Sequence, residues 1–164
     1  MATLTTLESK VAEVLGLAMA AQDSVQQVRG MLGREHAALD KRLAKARDEA
    51  RETQKRCTAV AGSFKGKKTA ILEKARATKK EATEMREAYL GGEDDPLDGF
   101  EFLTMAEAGE VGHWSIVGKL NEKAGIGELR KLTDWALPIQ QRHLEEALDG
   151  SLKLAADEDP FEEE

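Results

Sequence analysis

Cys57 is the only cysteine among 164 residues, so the chain forms no internal disulfide and no cysteine-rich zinc site. Aromatic residues make up only 4 %, and there are three prolines, Pro96, Pro138 and Pro160. With β-branched residues also scarce, there is little material for a sheet. No apolar run approaches the roughly 18 residues that a membrane span needs. The opening residues, MATLTTLESK, show neither the basic nor the apolar region of a signal peptide. No glycine-rich phosphate loop, Ser/His/Asp arrangement or cysteine with a placed base is visible. These absences, with a surplus of helix-forming residues, predict an all-α, soluble, cytoplasmic protein with no membrane partner.

Charge is what the chain has in quantity. Asp, Glu, Lys and Arg account for 34 % of the residues and the net charge is -7. Its distribution is uneven. Residues 34–90 hold 16 Lys and Arg against 9 Asp and Glu, a net +7, whereas residues 91–164 hold 6 against 19, a net -13. A basic middle and an acidic C-terminal half can attract each other within the fold or between subunits. The length suits one domain, expected as a helical bundle over residues 1–156 with an acidic, disordered tail over 157–164, DEDPFEEE.

Helical periodicity runs through most of the chain. Leu4, Leu7, Val11, Val14, Ala18, Ala21, Val25, Val28 and Leu32 form a heptad stripe, so a first helix is expected from about Thr6 to Gly30. Thr5 and Glu8 make a capping box at its start. A second helix, from about Glu35 to Ala61, carries a thinner stripe through Leu39, Leu43, Ala46, Ala50, Thr53 and Cys57. Gly62, Ser63 and Gly66 interrupt it. A third segment, about Lys67 to Leu90, either continues helix two after a kink or crosses over. GGEDDPLDG, residues 91–99, is the clearest loop. Two further helices follow, from about Phe100 to Lys123 and from about Glu128, the latter with Pro138 inside it.

Two polar pairs interrupt the apolar stripes of those last helices. On the fourth, Leu103, Ala106, Glu110, His113, Val117 and Leu120 read as the inward face, which places Glu110 and His113 in the core. Residues three apart share a helix face, so both can reach one ion. On the fifth, Leu129, Leu132, Ala136, Ile139, His143 and Ala147 face inward, with Gln140 a turn before His143. A carboxylate oxygen and an imidazole nitrogen suit iron, manganese or zinc. Glu107 is a third-ligand or supporting candidate. Glu49 and Glu52, beside Ala50, are the carboxylates that helix two can offer, although a solvated charged face accounts for them as well. Either histidine can equally be a core residue hydrogen-bonded to a neighbouring helix.

Three stretches carry a family resemblance: FKGKKTAILEKA, FLTMAEAGEVGHWSIVGKLNEKAG and ELRKLTDWALPIQQRHLEEAL. They span roughly the last hundred residues, and the chain there resembles small bacterial stress-associated members of the ferritin-like superfamily. The resemblance implies a four-helix bundle with an additional crossover helix, a di-iron or di-manganese centre, and homo-oligomerisation. It also implies oxidation of iron or handling of peroxide. Glu110, His113 and His143 match ligand types. Gln140 stands where the family has Glu, and Gln22 stands near where helix one gives a carboxylate, departures that suit a one-metal or metal-free bundle. A non-enzymatic helical assembly or partner-binding module is the alternative. Nucleic acid would be met only through phosphates, because the basic segment 65–80 has no interleaved aromatics. A solvated helical face is the simpler account of that segment.

Overall fold

The computed structural model describes residues 2–163, so Met1 of the expected bundle and Glu164 of the expected tail lie outside the described residues. The described residues form five α-helices, α1 (Thr6–Arg29), α2 (Ala37–Ala61), α3 (Lys68–Leu90), α4 (Pro96–Ala124) and α5 (Gly127–Ala155), with a short 3-10 turn at Arg34–His36. After Ala156 the chain continues as exposed turns. No helix is long and apolar enough to cross a membrane among the described residues.

Local chemistry sets the helix ends. The Thr5 hydroxyl accepts from the Glu8 N–H at 3.2 Å, and the Glu8 carboxylate accepts from the Thr5 N–H at 2.7 Å, which is the expected capping box. α4 begins one turn earlier than its apolar periodicity indicates, because Asp95 caps the Leu97 N–H at 2.7 Å and Pro96 takes the first helical position. α4 ends at Gly125, whose φ of 67° is the left-handed conformation that glycine takes without strain. There the buried Asn121 side chain accepts from the Ile126 N–H and donates to the Ile126 carbonyl, at 3.1 and 3.0 Å, closing the turn into α5. Pro138 does not break α5, which runs unbroken from Gly127 to Ala155. Pro138 is exposed, as is Asp134, whose carbonyl it leaves without its helical donor.

Helices two and three are separate. α1 packs against α2, α3 and α4, while α5 packs against α4 and α2. α1, α2, α5 and α4 therefore surround one interior, and α3 lies along α1. Lys67, at the start of α3, reaches the Thr3 carbonyl beside the start of α1. At its other end Leu90 joins Val25 and Val28 in one apolar cluster. α3 thus returns the chain along α1 and lets α4 begin at the far end.

α1 is buried on two sides, which its single heptad stripe does not announce. Ala12, Gly16 and Ala20 are buried in addition to Val11, Val14, Leu15, Ala18, Val25 and Val28. A Cβ at Gly16 would lie 2.4 Å from the Ala75 carbonyl oxygen and 2.7 Å from Thr78 Cβ, so α3 approaches the α1 backbone directly there. The interior holds two large apolar clusters, and Ala12, Ala61 and Ile71 form a smaller third. One large cluster gathers around Trp114 with Val14, Leu15, Cys57, Val117 and Leu129, the other around Phe100 with Val25, Val28, Leu43 and Leu103.

Gly16→Ala is expected to destabilise the fold by about 1–3 kcal/mol through overpacking, outweighing a helix-propensity gain of about 1 kcal/mol. Gly112→Ala, on the exposed face of α4 with no atom within 4 Å of its Cβ, should keep that gain as added stability. Urea unfolding of the two variants checks the contrast.

Candidate functional site

Between the two large apolar clusters the bundle interior turns polar. α4 supplies Glu107 and Glu110, α5 supplies Gln140 and His143, and α2 supplies Glu49. Each pair on α4 and α5 is three residues apart, so both members point the same way. All four residues of these two pairs are buried, at 5–6 % exposure. The Gln140 amide donates to Glu107 Oε2. The His143 ring lies between two carboxylates, with Nε2 3.5 Å from Glu49 Oε1 and Nδ1 3.8 Å from Glu107 Oε2. Arg142 donates to the other oxygen of Glu49. Glu49 Oε1 and His143 Nε2 are both buried and have no hydrogen-bond partner.

Burial governs the electrostatics of this layer. It raises Glu107 from 4.5 to about 8, against the stabilising hydrogen bond from Gln140. It also raises Glu110 well above the ordinary carboxylate value, with the Glu107 charge adding to the effect. At neutral pH the pair therefore retains at least one proton. Burial also lowers His143, against the pull of Glu49, so the neutral imidazole is favoured. Cys57, fully buried on α2, is pushed well up by burial and by Glu110, which leaves it an inert thiol.

The structure places the expected site residues differently from one another. Glu107, Glu110, Gln140, His143 and Glu49 share the interior. Glu52 does not: it pairs with Arg56 at 2.9 Å on the surface of α2. His113 is also elsewhere, which corrects the inward stripe expected for α4. The buried positions there are Phe100, Leu103, Glu107, Glu110, Trp114, Val117 and Asn121. Trp114 fills the core next to Glu110, and His113 is turned to the flank, where Nε2 lies 3.5 Å from Glu13 Oε2 and Nδ1 meets the Gly109 carbonyl at 2.9 Å. A similar shift on α5 buries Gln140 and leaves Ile139 half-buried. From α1, Gln22 donates to Gln54 of α2 at 2.7 Å. The partner that sequence reasoning missed is Arg142. It sits beside His143 in the chain, but only the approach of α2 reveals that it holds Glu49.

These donors do not fit a di-metal centre. Among the described residues no three His, Cys, Asp or Glu side chains are grouped as a metal ion requires. An imidazole binds an ion through one nitrogen, so Glu49 and Glu107, at opposite nitrogens of His143, do not share an ion with it. Arg142 already offsets the Glu49 charge. What fits is narrower: Glu49 Oε1 and His143 Nε2 face each other unpaired, two donors for one ion or a bridging water.

The basic middle is partly spent inside the fold. Lys67 reaches Glu8 at 4.0 Å, Lys79 reaches Asp23 at 3.2 Å and Arg42 reaches Asp149 at 2.6 Å. Exposed pairs of this kind add little stability singly. They set which helices face one another.

The chain matches no protein-family model, no curated protein and no solved structure.

The buried acids make a definite pH signature. A carboxyl held above its unfolded value of 4.5 gives stability that is complete below that value and is lost as pH rises through the folded value, about 8 for Glu107. His143 acts in the opposite sense, costing stability as pH falls below its ordinary 6.5. Stability to thermal unfolding should therefore fall steadily from about pH 6.5 to about pH 8, and Glu107→Gln and Glu110→Gln should each flatten that slope. A wild-type profile that is level over this range would contradict the protonated pair.

Proposed function

We propose that this protein is a ferritin-like bundle with a reduced centre, holding one divalent ion between Glu49 of α2 and His143 of α5. The observation that carries the reading is the facing pair of buried, unpartnered ligand atoms, Glu49 Oε1 and His143 Nε2. The helix order adds support, with two antiparallel pairs, α1 with α2 and α4 with α5, joined by the crossover α3. Iron or manganese at that point would supply one-electron chemistry toward O2 or peroxide. The protein's own groups have separate tasks. Arg142 fixes the orientation of Glu49, and Gln140 fixes Glu107. Glu107 stands beside Nδ1 of His143, where it orients the ring and keeps a proton close. Glu110, His113 and Glu52 have no part in holding the ion. Assembly of several copies belongs to this reading, and Leu148 and Leu152, exposed one turn apart on α5, are its contact residues.

Elemental analysis of tag-free protein, with anaerobic Fe(II) and Mn(II) titration, is the test. The expected result is about one ion per chain, lost in His143→Ala and kept in His113→Ala and Glu52→Ala. A wild type that neither carries nor takes up either metal overturns the reading. His143 is then a core residue hydrogen-bonded between two carboxylates, and a partner-binding bundle becomes the better account.

A further inference from the structure

A groove of about 310 Å³ opens between α1, α3 and α4. Its walls are apolar, including Leu17 and Ala21 of α1, Ala82 and Met85 of α3, and Met105 of α4. Met85 and Met105 stand 69 % and 52 % exposed at its edge. The polar side chains in the lining are Ser24, Glu107, Glu110 and His113, and no Lys or Arg is among them. His113 already faces the Glu13 carboxylate at 3.5 Å. Glu107 has Gln140 as its donor. Glu110, 95 % buried, has no hydrogen-bond donor and no ion pair among the described residues, and burial and the neighbouring Glu107 raise it. A buried carboxyl without a partner is costly. Here its one open side is the groove.

We propose that this groove is a binding site for a small amphiphilic amine, its apolar body lying against the methionines and its ammonium group donating to Glu110. Three features favour this occupant. Two carboxyls face the groove and no Lys or Arg does, so an ammonium can pair with Glu110 by displacing its proton, whereas an anion is repelled and a neutral chain gains no ion pair. The volume suits a molecule of modest size rather than a protein element. The two methionines have unbranched, adaptable side chains that fit apolar bodies of differing shape. The site is separate from the proposed ion position, since neither Glu49 nor His143 lines it. Glu107 borders both, but the ammonium partner, Glu110, takes no part in holding the ion, so amine binding is read separately from metal uptake.

Octylamine, a primary ammonium with an eight-carbon chain at neutral pH, is the probe, with octanol and octanoate as matched controls in titration calorimetry. Octylammonium should bind once per chain, and octanol about tenfold or more weakly. Glu110→Gln removes the carboxylate from an otherwise unchanged fold and should weaken octylammonium by a similar factor while leaving octanol alone. Ala82→Trp, which fills the groove from a half-buried position, should abolish both, with circular dichroism confirming that both variants are helical. Three results each overturn the proposal: equal binding of octanol and octylammonium, octylammonium binding untouched by Glu110→Gln, or binding that survives Ala82→Trp. A wild-type dimer that Ala82→Trp dissociates, with no amine bound, would assign the groove to a second copy of the chain and overturn it equally.

Discussion

The cost of burying ionisable groups is the constraint on which the bundle interior depends. Glu107 and Glu110 occupy positions on α4 that an ordinary core would give to Leu or Val, with His143 and Gln140 across from them on α5. Four polar side chains in one layer are tolerable only if charge is removed or matched. The layer does both. The acids retain protons, the histidine stays neutral, Gln140 donates to Glu107, and Arg142 comes from the rim to offset Glu49. The apolar clusters above and below, centred on Trp114 and Phe100, hold the helices while the layer between them gives up hydrophobic stabilisation. A middle layer that forgoes such stabilisation is where a bundle keeps its chemistry.

The crossover helix follows from a different economy. α1 and α2 turn back on each other, as do α4 and α5, and α3 spans the length between these pairs. To lie along α1 it must approach a helix already packed on its other side. Small residues permit this: Gly16 lets the Ala75 carbonyl and Thr78 come against the α1 backbone, with Ala12 and Ala20 on either side. Ion pairs from Lys67 and Lys79 of the α3 region to Glu8 and Asp23 of α1 fix which faces meet. The basic charge of the middle segment thus has a structural use before any external partner is considered.

Much of this was legible in the residue order. The all-α class, the Thr5–Glu8 capping box and the limits of α1 are local matters, and local signals carry them; of the loop expected at GGEDDPLDG only residues 91–95 lie outside a helix, because Asp95 and Pro96 start α4 there. The α4 face is the instructive miss. His113 and Trp114 are adjacent, and a stripe drawn through Ala106, Glu110 and His113 fits a helical period as well as one through Glu107, Glu110 and Trp114. Only the partner helices distinguish them, because Trp114 needs the space between Val14 and Leu129, while His113 finds Glu13 on the flank. The gathering of Glu49, Glu107 and His143 is likewise a property of three helices meeting. Residues 58 and 94 positions apart along the chain leave no periodic trace of a contact. The pairing of Glu49 with Arg142 is hidden for the same reason, since each reads alone as one more charge on an amphipathic helix.

The two-sided burial of α1 bears on how the chain is made. Synthesis proceeds from the N-terminus, so α1, with apolar and small residues on both of its packed sides, emerges before the helices that cover it. α2 follows at once and covers one side. The surface carrying Gly16 waits for α3, and the side facing the interior waits until α4 has appeared, some hundred residues into the chain. Until then the α1–α2 hairpin presents exposed apolar surface to its surroundings, the condition under which nascent chains associate wrongly or engage chaperones. The most buried of these helices thus precedes all of its partners in the chain and is the last to be fully enclosed.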